Sequence, residues 1–249
     1  MLKKERQAFI LHQLDLHNRV LSSTLCTEMQ VSEDTIRRDL QELAEEGQLI
    51  KVHGGALSRS YNNFYPEASQ VYSRPGKKVI AEKTSSLIRD GMFVLTLGGT
   101  TIQEMARTLP PDLKATFITG SIPAVIEYMH HPSIDVILIG DRVSKTAKIT
   151  AGGDAIARIG QICADLCILG VNAIDITHGV TDNDWDVVQV KRAMIAAAEK
   201  VICVSILEKI NTYQPLQVCS LDQIDMLITE ADPDNPLLIP YREAGIDVR

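Results

Sequence analysis

Two adjacent arginines, Arg37 and Arg38, lie in the run Ser32-Glu33-Asp34-Thr35-Ile36-Arg37-Arg38-Asp39-Leu40, and Lys51-Val52-His53-Gly54 follows soon after. Guanidinium groups pair with phosphates or with guanine edges, and hydroxyls donate to phosphate oxygens. Ser32, Thr35, Arg37, Arg38, Lys51, His53 and Gly54 are therefore candidate contacts to a double-stranded DNA operator. A second set of residues suits a small anion: Gly98-Gly99-Thr100-Thr101 and Thr119-Gly120-Ser121, with Lys191 and Lys209 as candidate cations. Glycines let a backbone approach an anion, while hydroxyls and free helix amides donate to it. A third cluster, Asp182-Asn183-Asp184-Trp185-Asp186, could hold a general base beside Lys191. Its plainer reading is a helix start, with Asp186 as cap and Gln189 completing a capping box. No complete acid–base pair is present, so no catalytic residue is assigned.

The elements that must position these groups follow from periodicity. Ile36, Leu40 and Leu43 form one narrow apolar stripe at about 100° per residue, leaving Asp34, Arg37, Arg38 and Gln41 on the opposite side. Ser32 is a suitable N-cap. Upstream, Lys3–Leu16 carries Leu2, Phe9, Ile10 and Leu14 at helical spacing, and Ser22–Met29 forms a second short helix capped by Ser22 or Ser23. Gln30-Val31 then leaves only a tight turn before Ser32, the layout of a helix-turn-helix. Residues 47–55 read as a small hairpin, or wing. Residues 1–57 are thus expected to form a winged helix-turn-helix domain, and the aperiodic stretch 58–76 a linker.

From Lys77 onward, helical stripes alternate with apolar runs. Helices are expected at Lys77–Ile88, Ile102–Leu109, Ile122–Met129, Asp154–Ile162 and Val187–Lys200. Strands are expected at Met92–Leu97, Ala115–Ile118, Asp135–Ile139, Leu166–Leu169, Val201–Val204 and Met226–Thr229, with a last helix and short strand near the C-terminus. Such alternation indicates a larger, mainly parallel α/β domain over 77–249. Parallel sheets bind ligands at the carboxyl ends of their strands, where both glycine-containing turns fall.

Arg6, Ile10, Leu14, Ser32, Thr35–Leu40 and His53–Ala56 together resemble the N-terminal domain of the DeoR family of bacterial transcriptional regulators. Residues 77–249 resemble that family's sensor domain, similar in fold to ribose-5-phosphate isomerase and glucosamine-6-phosphate deaminase. The family's Gly-Thr-Thr loop falls on Gly99–Thr101, its Thr-Asn-Ser turn on Thr119–Ser121, its Val-Lys-Arg-Ala-Met segment on Val190–Met194, and the lysine of its Asp-Ser-Ser-Lys motif on Lys209. The resemblance implies a repressor of carbohydrate metabolism, acting as a homodimer or homotetramer, switched by a phosphorylated sugar or related metabolite. Departures affect the ligand more than the DNA. Lys51 stands where many members have arginine, Leu97 where an acidic residue is frequent, Gly120 for asparagine, Asp141 for a second glycine, and Ile206 for the aspartate of the late motif. They suggest a retained anion anchor with altered hydroxyl recognition; the rivals are a sensor that binds nothing and a sugar-phosphate isomerase or deaminase-like enzyme.

Charge sharpens the DNA reading. Residues 1–57 hold seven lysines and arginines against nine aspartates and glutamates, a net of −2, and the whole chain carries −7. This excludes a broad basic field that coats DNA regardless of sequence. Recognition must then rest on local geometry and paired domains. Five cysteines without metal spacing imply neither a disulfide framework nor a metal, and no cofactor is implied. The absence of a long apolar run or a leader segment points to a reduced, cytoplasmic protein without membrane contact.

Overall fold

A computed structural model describes residues 1–59 and 71–249, which fall into two compact units, Met1–Tyr72 and Ser73–Arg249. Most of the stretch expected as a linker thus lies outside the described residues.

The first unit runs α1 (Lys3–His17), β1 (Arg19–Leu21), α2 (Ser22–Met29), α3 (Glu33–Glu45), β2 (Leu49–Val52) and β3 (Gly55–Ser58). Ile10, Leu14, Leu25, Met29, Ile36, Leu40, Leu43 and Leu49 make its core, so the α3 stripe is the buried one, whereas Leu2 is exposed. Gln30 closes α2 in the left-handed conformation, and Ser32 caps α3 by accepting from the Thr35 amide at 3.4 Å. No serine caps α2. Ser22 is its first residue, and the Ser22 amide donates to the Gly54 carbonyl at 2.8 Å, tying the wing to the helix. The hairpin gains a third strand that the periodicity does not reveal: β1, β3 and β2 form an antiparallel sheet in that order. Two glycines are needed here for different reasons. Gly54 turns the chain at φ +76°, while a Cβ on Gly55 would overlap the Val20 carbonyl oxygen of β1.

The second unit is built on seven parallel strands in the order β15-β14-β12-β9-β4-β5-β6. They are β4 (Phe93–Thr96), β5 (Thr116–Thr119), β6 (Asp135–Leu138), β9 (Ala164–Gly170), β12 (Ala198–Val204), β14 (Met226–Ile228) and β15 (Asp247–Val248). Helices α4 (Arg74–Ser85), α5 (Thr100–Thr108), α6 (Ile122–Tyr128), α7 (Gly153–Ile159), α8 (Trp185–Ala196) and α9 (Ile239–Glu243) connect them. Two small antiparallel additions sit beyond the strand ends: the hairpin β7 (Val143–Ser144) with β8 (Ile149–Thr150), and a sheet of β10 (Ala173–Asp175), β11 (Gly179–Asp182) and β13 (Leu216–Cys219). The central strands β4, β9 and β12 bury near-continuous apolar runs, including Leu95, Cys167, Leu169 and Cys203, as a sheet covered on both faces requires.

Two boundaries differ from the sequence reading in instructive ways. Helix α8 stops at Ala196, and Ala198-Glu199-Lys200 begins β12 instead of continuing the helix. These residues favour helix intrinsically, but pairing of Ala198 with Ala164 and Lys200 with Leu166 extends the ladder and overrides that preference. Asp184, not Asp186, caps α8: its Oδ1 accepts from the amides of Asp186 and Val187 at 3.0 and 3.3 Å. Asp186 instead pairs with Arg142 at 2.9 Å.

Candidate functional site

Helix α3 presents Arg37, Arg38 and Gln41 to solvent, and the wing presents Lys51, His53 and Gly54. Arg37 Nη2 meets Asp34 Oδ1 at 3.0 Å, both side chains about two-thirds exposed, and such a pair is worth at most about 1 kcal/mol, so a phosphate displaces it readily. Lys51 Nζ donates to Gln41 Oε1 at 2.8 Å, fixing β2 against the outward side of α3. Ser32 and Thr35 hydroxyls lie 2.9 Å apart at the start of that helix. Two acidic groups of α3 are drawn the other way, towards α1. Asp39, buried, accepts from Arg6 Nε and Nη2 at 2.7 and 3.2 Å, and Glu42 pairs with Lys3 at 2.6 Å and accepts from Gln7 at 3.0 Å. Helix α1 thus neutralises the inward carboxylates of α3 and leaves the outward arginines their field. The sequence reading noticed Arg6 and Asp39 but not that they pair.

In the second unit, Gly98 and Gly99 link β4 to α5, and Gly99 adopts φ +126° as the N-cap. Thr100 is half-buried and Thr101 buried. Gly170, at the end of β9, approaches closely enough that a Cβ there would lie 3.3 Å from the Gly98 carbonyl oxygen, so the two strand ends meet backbone to backbone. The Thr119-Gly120-Ser121 turn is buried beneath the β7–β8 hairpin rather than open. The Thr119 hydroxyl accepts from the Ser121 amide at 3.0 Å, and the Ser121 hydroxyl caps α6 through the Ala124 amide at 3.3 Å. The Gly120 carbonyl accepts from the Thr150 amide at 2.8 Å. A Cβ at Gly120 would stand 2.8 Å from Thr150 Oγ1, which accounts for glycine in place of asparagine.

Lys191 is buried and already engaged: its ammonium donates to Asp182 Oδ2 at 2.8 Å and to the Gly170 carbonyl at 2.9 Å. It is therefore not the free cation that the sequence suggests. Burial pushes the Asp182 carboxyl up, but the Lys191 ammonium, the Asn183 amide and the Asn172 side chain outweigh this and hold it below the usual range. Lys209 reaches the next carbonyl, that of Val171, at 3.4 Å. Desolvation, then the facing ammoniums of Lys77 and Lys191, bring Lys209 down to about 7 against a smaller opposing effect of Asp182. Lys77 of α4 and Lys191 of α8 are thus close enough to Lys209 to act on it, and Asp182 pairs with Lys191. The sequence reading omitted Lys77. Its signal is a lysine in register with the buried stripe Ile80, Ala81 and Thr84 of α4.

The departures from the family pattern are filled rather than vacant. Leu97 and Ile206 are buried. Asp141 accepts from the amides of Ala155 and Arg142, which hold its carboxyl below the usual range, so it serves the start of α7. Among the described residues no group of three His, Cys, Asp or Glu side chains is arranged to hold a metal ion. No helix among them is long and apolar enough to cross a membrane.

Residues 6–61 match the DeoR-like helix-turn-helix domain, and residues 73–231 match the DeoR C terminal sensor domain. The chain belongs to the DeoR family. It is 33% identical over 254 residues to the HTH-type transcriptional repressor GlcR of Bacillus subtilis (strain 168), spanning 100% of this chain and 96% of that one. The glycerol-3-phosphate regulon repressor of Haemophilus influenzae is 29% identical, over 94% of this chain and 92% of the relative. Among solved structures, ribose 5-phosphate isomerase A from Methanocaldococcus jannaschii is 16% identical with TM-score 0.39, covering 53% of this chain and 52% of that one. The Pyrococcus horikoshii OT3 translation initiation factor eIF-2B is 16% identical with TM-score 0.46, covering 92% and 88%. This DeoR-family chain is a DNA-binding transcriptional regulator, and α3 and the β2–β3 wing lie in the part that matches the helix-turn-helix domain.

Proposed function

We propose that this DeoR-family protein represses a carbohydrate-metabolism operon and that a phosphorylated sugar or related anionic metabolite, bound in the sensor domain, switches its affinity for the operator. The placing of Lys191 and Lys209 on successive carbonyls, Gly170 and Val171, beside the glycine-bearing strand ends carries the reading, because grouped ammoniums favour an incoming dianion. The phosphate end of the ligand meets Lys209 and the Gly98–Thr101 loop, while Lys191, paired with Asp182, supplies field rather than a direct contact. Leu97 and Ile206 are buried where carboxylates would hold hydroxyls, and the lack of those acceptors favours a ligand with few hydroxyls near its phosphate. The relatives named above as repressors support the sign of the response, and the name of the Haemophilus protein supports a phosphorylated effector.

Operator contacts are assigned to Ser32, Thr35, Arg37, Arg38, Lys51, His53 and Gly54, with two copies of the domain reading repeated half-sites. For the switch to operate, the effector must bind one conformation better than the other. The chain is read as a sensor and not as an isomerase or deaminase, since the buried carboxylates described in its second unit, Asp182 and Glu104, are committed to Lys191 and to Arg74 and Arg107. Thermal-shift screening against sugar phosphates, followed by operator binding with and without the hit, tests the proposal. A Thr100→Glu variant that keeps every ligand response would overturn the anion site, and turnover of sugar phosphates at enzyme-like rates would overturn the sensor assignment.

A further inference from the structure

Helix α4 is the first element the chain enters from the DNA-binding unit: that unit ends at Tyr72, and α4 begins at Arg74. Polar contacts grip the helix on two sides. On one, Arg74 Nε donates at 3.1 Å to Glu104 Oε1, a buried carboxylate that also takes Arg107 Nη1 at 2.8 Å. Glu104 stands on α5, one turn beyond the Gly98–Thr101 loop that opens that helix. On the other side, Lys83 Nζ donates to the Thr229 carbonyl at 2.9 Å and reaches that of Ala231 at 3.5 Å. Between those two residues is Glu230. Its carboxylate accepts from the Leu207 amide at 3.2 and 3.1 Å and from the Thr229 hydroxyl at 2.9 Å, which fixes the start of the Leu207–Lys209 turn. Glu230 also lies against α4, since a Cβ at Gly76 would stand 3.2 Å from its Cγ.

The loop and the turn are neighbours. A Cβ at Gly170 would lie 3.3 Å from the Gly98 carbonyl oxygen, and the next residue, Val171, gives its carbonyl to Lys209. An anion held by the loop and by Lys209 therefore bears on both walls at once. We propose, resting on the anion site above, that its occupancy is transmitted to α4 through Arg74–Glu104 on one side and Lys83 with Glu230 on the other. Hydrogen bonds weaken steeply as they lengthen and bend. When the anion favours a different spacing of loop and turn, α4 cannot keep Glu104 and Thr229–Ala231 in reach without moving with them. Arg74 and Lys83 are positioning residues in this relay, and neither is a candidate contact to the anion.

Inorganic phosphate is the probe, and hydrogen exchange of the full chain, read by mass spectrometry, is the measurement. In the unaltered protein, phosphate should slow exchange at residues 98–103 and 206–210 and, by about 5-fold or more, across residues 77–81 of α4. In the double variant Arg74→Met, Lys83→Met, the response at the site should persist while that of α4 disappears. Arg74→Met alone, whose side chain is 43% exposed, should reduce the α4 response and serves if the double variant does not fold. Lys78→Met, exposed on the same helix, should behave as the unaltered protein does. Phosphate that protects the site but leaves α4 unchanged in the unaltered protein would overturn the relay while leaving the anion site intact. An α4 response kept in full by the variants would also overturn it, by placing the route elsewhere. Absence of protection at 98–103 and 206–210 in the unaltered protein would remove the anion site itself, and the relay with it.

Discussion

Substituting Lys191 by methionine separates two roles that the sequence alone leaves confounded, an anchor for the effector and a structural counter-ion. Methionine keeps the length and apolar stem of the side chain but removes the ammonium from between Asp182 and the Gly170 carbonyl. Both partners of the pair are buried, with side-chain exposures of 5% for Lys191 and 7% for Asp182. Breaking such a pair by deleting one member typically costs about 3–5 kcal/mol, because the remaining charge stays buried. Asp182 retains the Asn183 amide and the Asn172 side chain, and Lys209 lies near enough to feel it, so the lower end applies, about 3 kcal/mol. For a unit the size of Ser73–Arg249, this corresponds to a fall in melting temperature of about 6–12 °C. Scanning calorimetry of the full chain is the assay. The two units differ more than twofold in length, so the larger enthalpy identifies the sensor transition. A shift smaller than about 2 °C would refute the structural role of Lys191. A normal melting profile with lost effector response would return Lys191 to the direct ligand contacts.

Other outcomes follow from the same geometry. Arg37→Ala and Arg38→Ala should each weaken operator binding and reduce its salt dependence by about one unit of slope, measured by titration at several salt concentrations. Asp39→Asn should lower hydrogen-exchange protection in Lys3–His17 and Glu33–Glu45 while sparing Phe93–Thr96, because it weakens the Arg6 pair that joins α1 to α3. Gly55→Ala should destabilise the wing by at least about 2 kcal/mol, read by exchange at β1 and β3, since its Cβ meets backbone that cannot swing aside. The unliganded protein should gain stability as pH rises from about 7 towards 10, because over that window the unfolded chain binds a proton at Lys209 that the folded chain has released. Lys209→Met should flatten that rise in a series of melting curves. At the acidic end the sign is the same: Asp182, held below the usual range, contributes stability above its unfolded value that disappears as pH falls through its folded one.

The order of helices and strands is legible because apolar spacing encodes which face is buried. The stripe Ile36, Leu40 and Leu43 led directly to the outward position of Arg37 and Arg38. Glycine-bearing strand ends were legible for the same reason, as Gly99 at φ +126° shows. What periodicity could not supply was the use to which polar atoms are put. Thr119, Gly120 and Ser121 look like an open anion turn, yet they are buried: Thr150 of the β7–β8 hairpin donates to the Gly120 carbonyl, and the two hydroxyls accept from the Ser121 and Ala124 amides. Lys191 looks free because its partner, Asp182, lies on a strand of a separate antiparallel sheet, and side-chain pairing across such elements has no local signature. Lys77 does have one, since a lysine on a buried stripe must find compensation somewhere.

The charge problem posed by the sequence has a geometric answer, in which the domain's acidity is spent on its own architecture. Asp39 is buried, and Asp39 and Glu42 are engaged by Arg6 and Lys3 of α1. A residue count treats these carboxylates as opposing DNA, but paired with α1 they cancel at short range. Arg37 keeps only an exposed partner, Asp34, whose attraction water already screens. The exposed side of α3 therefore keeps a locally positive surface at Arg37 and Arg38 in a domain whose net charge is negative. The second unit sets Lys191 and Lys209 on the successive carbonyls of Gly170 and Val171, with Asp182 paired to Lys191. In both domains the location of counter-charges, rather than their number, decides where an anion is welcome.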